Sequence, residues 1–167
     1  MGEKVRILFC KIFVNYTQKS AVRALTSMGH TVVEKQYYTP EDNYNDTRLL
    51  SMIEEDVKAG YDLVMSINFW PLVARAAHNA SIPYAAWCYD CPMNLPTEQD
   101  MEYDTNFIFM FDRLECRKYA DMGITRIFHM PLATDCEMWE KVKVPAGSEE
   151  YDVSFLGSLY ESTFPQI

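Results

Sequence analysis

Two residues in this chain have the type and setting for proton transfer. Asp90 follows the apolar run Tyr84 to Cys88, inside Trp87-Cys88-Tyr89-Asp90-Cys91-Pro92. That aromatic, proline-rich stretch would partly desolvate the carboxyl and suit it to act as a general base on a hydroxyl. The same spacing also suits an Asx-type turn ahead of Pro92. His129 is the one histidine of three at the end of a strand-like run, where imidazole could polarise or deprotonate a hydroxyl; beside Met130-Pro131 it equally fits a packed, hydrogen-bonded residue. Other candidates would hold a ligand rather than transform it. Asn15 and Tyr16, Asn68 and Trp70, Tyr89, and Asp112 and Arg113 each follow an apolar run. Amides satisfy hydroxyls and rings stack on sugar-like faces, so the mixture predicts a polyhydroxylated ligand. Each has a plainer reading: turn-forming for the asparagines, packing for Trp70, and for Asp112 with Glu115 a helix capping box. Gly157-Ser158 is the phosphate candidate, because glycine lets backbone amides approach a diphosphate; a plain strand-to-helix turn reads the same.

The elements that would position these residues alternate strand with helix. Strands are predicted at Val5 to Cys10, Thr31 to Tyr37, Leu63 to Ile67, Tyr84 to Cys88, Phe107 to Phe111 and Arg126 to Met130. Helices are predicted at Gln18 to Met28, closed by Gly29, and on the face Leu49, Ile53 and Val57, capped by Asn45 or Asp46 and ended by Gly60. Two more follow, Pro71 to Asn79 and Arg113 to Met122. The pattern is that of an α/β, Rossmann-like, doubly wound, mostly parallel six-stranded sheet with both faces covered. In such a sheet ligands lie beyond the carboxyl ends of the strands, where the candidates fall.

The 167 residues suffice for one core, and Asp plus Glu exceed Lys plus Arg by 24 to 15, a net charge of −9 that argues against a phosphate-tracking nucleic-acid face. The amino terminus carries no signal-type apolar run, no stretch reaches membrane-span length, and the five cysteines are an odd number. A reduced, cytoplasmic setting is expected. Residues 1–140 read as one domain and 141–150 as a charged, proline- and glycine-containing linker. Residues 151–167 read as the first strand of a second domain not completed here.

Taken in order, Ser66-Ile-Asn-Phe-Trp-Pro71, Trp87-Cys-Tyr-Asp-Cys-Pro92, Phe107 to Cys116, His129-Met-Pro-Leu-Ala133 and Asp152 to Tyr160 give the chain a resemblance. It resembles the N-terminal domain of CgeB-like, spore-maturation-type glycosyltransferases. The resemblance implies the N-terminal half of a GT-B fold, two Rossmann-like domains facing across a cleft, metal-independent and without a cofactor. It implies that the half seen here is the acceptor side, binding a sugar or glycan, and that the nucleotide-sugar donor is held mainly by the C-terminal domain. This half alone would be inactive. Pro131 to Asp135 is similar to the stretch with which many GT-B enzymes leave their first domain.

Other chemistries have weaker footing. Trp87-Cys-Tyr-Asp-Cys91 is superficially similar to a thioredoxin site, yet Met93 to Pro96 gives no room for the helix that would lower a thiol pKa. There is no GxGxxG after the first strand, no Walker loop, no Asp-x-Asp and no second ligand pair for zinc. Three readings stay open: the acceptor half of a sugar transferase, a non-catalytic carbohydrate- or metabolite-binding module, and a thiol-redox or interaction protein.

Overall fold

The computed structural model describes residues 3–93, 95, 97–148, 150–155 and 157. The chain divides into two units, 1–133 and 134–167.

In the first unit six strands form one sheet: β1 (Arg6–Lys11), β2 (Thr31–Gln36), β3 (Leu63–Ile67), β4 (Tyr84–Cys88), β5 (Asn106–Met110) and β6 (Ile127–His129). Their order is β2-β1-β3-β4-β5-β6, and every neighbouring pair is parallel. The doubly wound, Rossmann-like α/β fold expected from the alternation is therefore present, with all strands parallel. The helices are α1 (Thr17–Ser27), α2 (Thr47–Val57), α3 (Pro71–Asn79) and α4 (Arg113–Asp121). Asp46 caps α2, accepting from the Leu49 N–H at 2.9 Å. Gly29 and Gly123, with φ of 93° and 96°, follow α1 and α4 in the left-handed region that a side chain would strain.

Chain direction decides which face each helix covers. A right-handed crossover from β1 to β2 runs one way along the sheet, and every later connection runs the other way, so α1 falls on one face and α2, α3 and α4 on the opposite one. The larger core agrees: Leu8, Val64, Tyr84, Ala86, Ile108 and Met110 pack with Leu49, Ile53 and Val57 of α2, the buried face of α3, and Tyr119 of α4. Three alanines, Ala74, Ala76 and Ala77, let α3 lie close to its neighbours. On the other face Ala21 of α1 packs with Phe9 and Ile67, and Val22, Leu25 and Met65 flank them.

That second face is covered only in part, where the sequence pattern predicts full cover. In β4 and β5 buried residues alternate with half-buried ones. The half-buried set, Trp87, Phe107 and Phe109, shares its face with Phe128 of β6, which is 41% exposed. Phe128 packs on Phe107 and Phe109 at ring separations of 6.3 and 5.7 Å. Within the first unit no described helix lies on this end of the face, because none of its crossovers reaches it.

The β4–β5 connection contains a 3-10 turn at Gln99–Glu102. It is fastened to α3 by Arg75, which pairs with the almost wholly buried Asp100 at 2.8 Å. Asp100 also accepts from the Tyr103 hydroxyl at 2.7 Å. Among the described residues no helix is long and apolar enough to cross a membrane.

Among its described residues the second unit contains one short helix, α5 (Cys136–Trp139), capped by Asp135. Tyr151 to Phe155, expected as part of a buried strand, form no strand, and Tyr151, Val153 and Phe155 are exposed. The rest of that expected strand lies outside the described residues except Gly157.

Candidate functional site at the strand carboxyl ends

The winding direction of the sheet reverses between β1 and β3, so the loops after these two strands leave toward opposite faces and open a crevice. The loop after β1 is shaped by Asn15. Its Oδ1 accepts from the Thr17 N–H (3.0 Å), the Thr17 hydroxyl (2.6 Å) and the Gln18 N–H (3.1 Å), satisfying the first turn of α1. Asn15 is thus a helix-capping residue, and among the described residues its amide nitrogen has no partner. Gln18, buried, donates to the Phe13 carbonyl at 2.7 Å and draws the loop inward. Tyr16 points out, 89% exposed, as does Val14.

The loop after β3 is held from below by a buried hydroxyl chain. Ser66 donates to the Asn68 carbonyl at 2.7 Å, and Tyr84 of β4 sits 2.6 Å from Ser66 Oγ while accepting from the Trp70 N–H at 3.1 Å. Burial raises the Tyr84 phenol pKa and keeps it in the donor form. Trp70 donates its indole N–H to the Ile67 carbonyl at 3.0 Å, and its ring tilts against Phe13 at 5.7 Å, joining the first two loops. Asn68 has φ of 60°. Its Nδ2 donates to Asp90 Oδ2 at 2.5 Å, while its Oδ1 accepts from the N–H groups of Tyr89 (2.8 Å) and Asp90 (3.3 Å).

The loop after β4 carries Tyr89 and Asp90. The Tyr89 ring meets Trp87 edge-on at 4.9 Å. Its phenol pKa is raised mainly by burial, offset by a hydrogen bond from the Ala133 backbone, with a smaller upward push from nearby Tyr16. Asp90 is exposed, which corrects the expectation of a desolvated carboxyl: it lies past the end of β4 in a loop held to Asn68, and the neighbouring aromatic and proline residues leave it open to water. Nor does Asp90 close an Asx turn, since its carboxylate bonds to Asn68. Its Oδ1 has no partner among the described residues.

The remaining candidates separate from this group. Asp112 caps α4, accepting from Leu114 and Glu115 N–H at 2.8 Å each. The expected box is one-sided, because Glu115 turns to Lys118 at 3.4 Å. Arg113 is exposed at the start of the same helix. His129 ends β6, exposed and in register with Met110, which faces Cys88 of β4. That places it two strands from β4, roughly 10 Å across the sheet. Gly157 lies in the second unit, close against the Phe155 ring, and Ser158 falls outside the described residues. The carboxyl end of the sheet thus carries Asn15 and Tyr16, Asn68 and Trp70, and Tyr89 and Asp90 on neighbouring loops, of which hydrogen bonds join Asn68, Tyr89 and Asp90.

The cysteine pair is not poised for redox chemistry. Burial pushes the Cys88 thiol up to about 12, and Cys91 is raised by partial desolvation and then by Asp112 and Glu115. Among the described residues no three His, Cys, Asp or Glu side chains cluster so as to hold a metal ion.

Ser66 and Tyr84, missing from the sequence-based candidates, position the site from beneath. The available signal was a serine inside an otherwise apolar strand, two residues before Asn68; in the sheet Ser66 is in register with Ala86, two residues along β4 from Tyr84 and so on the same face. No family model, curated protein or solved structure matches the chain.

Proposed function

We propose that the crevice binds a sugar, and that the chain is the acceptor side of a metal-independent glycosyltransferase whose nucleotide-sugar donor is held by a second domain. One observation carries this reading. Around the point where the winding reverses, the loops after β1, β3 and β4 carry Tyr16, Trp70 and Tyr89, and the last of them carries Asp90, tied to Asn68 by one carboxylate oxygen while the other has no partner among the described residues. Rings and a fixed hydrogen-bond acceptor are what a polyhydroxylated ring requires. The ordered resemblance to CgeB-like glycosyltransferases supports the same reading.

In transfer, Asp90 Oδ1 accepts the proton of the acceptor hydroxyl as that oxygen attacks the sugar carbon bonded to the departing phosphate. His129, one candidate base from the sequence, stands too far along the sheet edge to share a proton with Asp90 directly. Stabilising the departing diphosphate falls to the donor domain.

A second reading, sugar binding without transfer, is favoured by the exposure of Asp90 and by its partner Asn68, whose hydrogen bond fixes the carboxylate in place. Saturation-transfer NMR with glucose, galactose and N-acetylglucosamine tests what the readings share: signals are expected, and their loss in Asp90→Asn is expected. No signal from any sugar would refute both. Transfer of labelled glucose from UDP-glucose by a two-domain protein would separate them.

A further inference from the structure

Asn68 sits where few residues can. Its φ of 60° is open to glycine, asparagine and aspartate and strains most others. Its amide is engaged on both sides, to two backbone N–H groups through Oδ1 and to Asp90 Oδ2 through Nδ2. The orientation cannot be reversed, because a turned amide would set oxygen against carboxylate and an NH₂ against two donors. The Asn68 carbonyl is in turn anchored by Ser66. An exposed aspartate ordinarily samples several rotamers; this one is tied at one oxygen to the loop of the neighbouring strand.

We infer that Asn68 is the positioning residue for Asp90, fixing one carboxylate oxygen so that the other is presented to the ligand, and that it does not itself contact the sugar. The inference rests on the crevice being a sugar site, and its test separates the two claims.

Asn68→Asp keeps the shape, the left-handed backbone and the two N–H acceptors, but sets two carboxylates against each other. Adding Asp90→Asn restores a donor facing an acceptor with the polarity reversed. In thermal melts of the chain, N68D should be the least stable of N68D, D90N and N68D/D90N, and the double variant should recover at least half of the loss. An N68D/D90N protein that melts no higher than N68D would overturn the clamp.

Saturation transfer from glucose and N-acetylglucosamine then reads the positioning role. Asn68→Gly tolerates the backbone conformation and should melt near the wild type, yet lose about tenfold in affinity, the scale of one hydrogen bond to a charged group. N68D/D90N should recover stability without recovering binding, because its carboxylate stands on the wrong loop. Wild-type binding by either variant would overturn the positioning role. If the wild type itself gives no sugar signal, the sugar reading fails, and with it the ligand-directed role, while the melts alone decide the clamp.

Discussion

Asp90 and Asp112 follow adjacent strands, and their hydrogen bonds divide their duties. Asp112 spends its carboxylate on two N–H groups of α4, so its removal is a capping loss. Asp112→Ala should destabilise by about 1 kcal/mol, and Asp112→Asn, which still caps, by a few tenths at most; chemical denaturation of the two variants measures the difference. Asp46 caps α2 in the same manner, and the Leu49 N–H holds its carboxyl below the ordinary carboxylate range. A depressed folded-state pKa contributes stability that is complete above the unfolded value and lost as pH falls through the folded one. The melting difference between wild type and Asp46→Ala should accordingly be full at neutral pH and shrink as the solution is acidified below the ordinary range. A difference that stays constant with pH would show that the charge of Asp46 is not involved. These caps were legible because capping is local: side chain and N–H lie two or three residues apart. The Asn68 clamp was not, since its partner lies 22 residues away on the next strand and its left-handed backbone leaves no spacing to read.

At the scale of elements, the six strands and four main helices followed from periodicity, helix caps and closing glycines, while cover of the sheet's second face did not follow. Strand-by-strand alternation gives no strand order, and strand order is what puts α2, α3 and α4 on one side and leaves α1 alone on the other. The 3-10 turn escaped for a related reason: Asp100 reads as a loop carboxylate until Arg75 of α3 is known to lie against it. The unequal faces make a direct prediction for two apolar residues on adjoining strands. Ile108, fully buried between β5 and the three-helix layer, should cost roughly 2–5 kcal/mol on replacement by alanine, through lost burial and the cavity left behind. Phe128, on the open face, should cost about 1 kcal/mol or less despite being the larger side chain, because its ring packs only against neighbours that water also reaches. Urea denaturation of both variants gives the comparison. Equal losses would mean that the aromatic face is covered in solution.

For the molecule as a whole, the question is where the folding free energy resides. Both apolar clusters lie within the first unit, from Leu8 to Ile127, and so do Asn68, Asp90 and the buried hydroxyls beneath them. The described residues of the second unit, by contrast, form one short helix with no buried residue, and Trp139, Val144 and Phe155 are exposed. Residues without burial contribute little to the apolar stabilisation that offsets chain entropy. A chain ending at Glu140 retains every strand, every core helix and the Ala133 backbone that meets Tyr89. It should unfold in a single cooperative transition, with calorimetric and van't Hoff enthalpies equal, and melt within about 4 °C of the 167-residue chain, a shift corresponding to no more than ~1–2 kcal/mol at this size. On the proposed sugar-binding reading, it should also keep whatever sugar binding the 167-residue chain has, since the loops after β1, β3 and β4 are intact. A fall of about 10 °C or more, or a broad non-cooperative melt, would place a substantial share of the stability in residues 141–167 and overturn the assignment of the fold to the first unit alone.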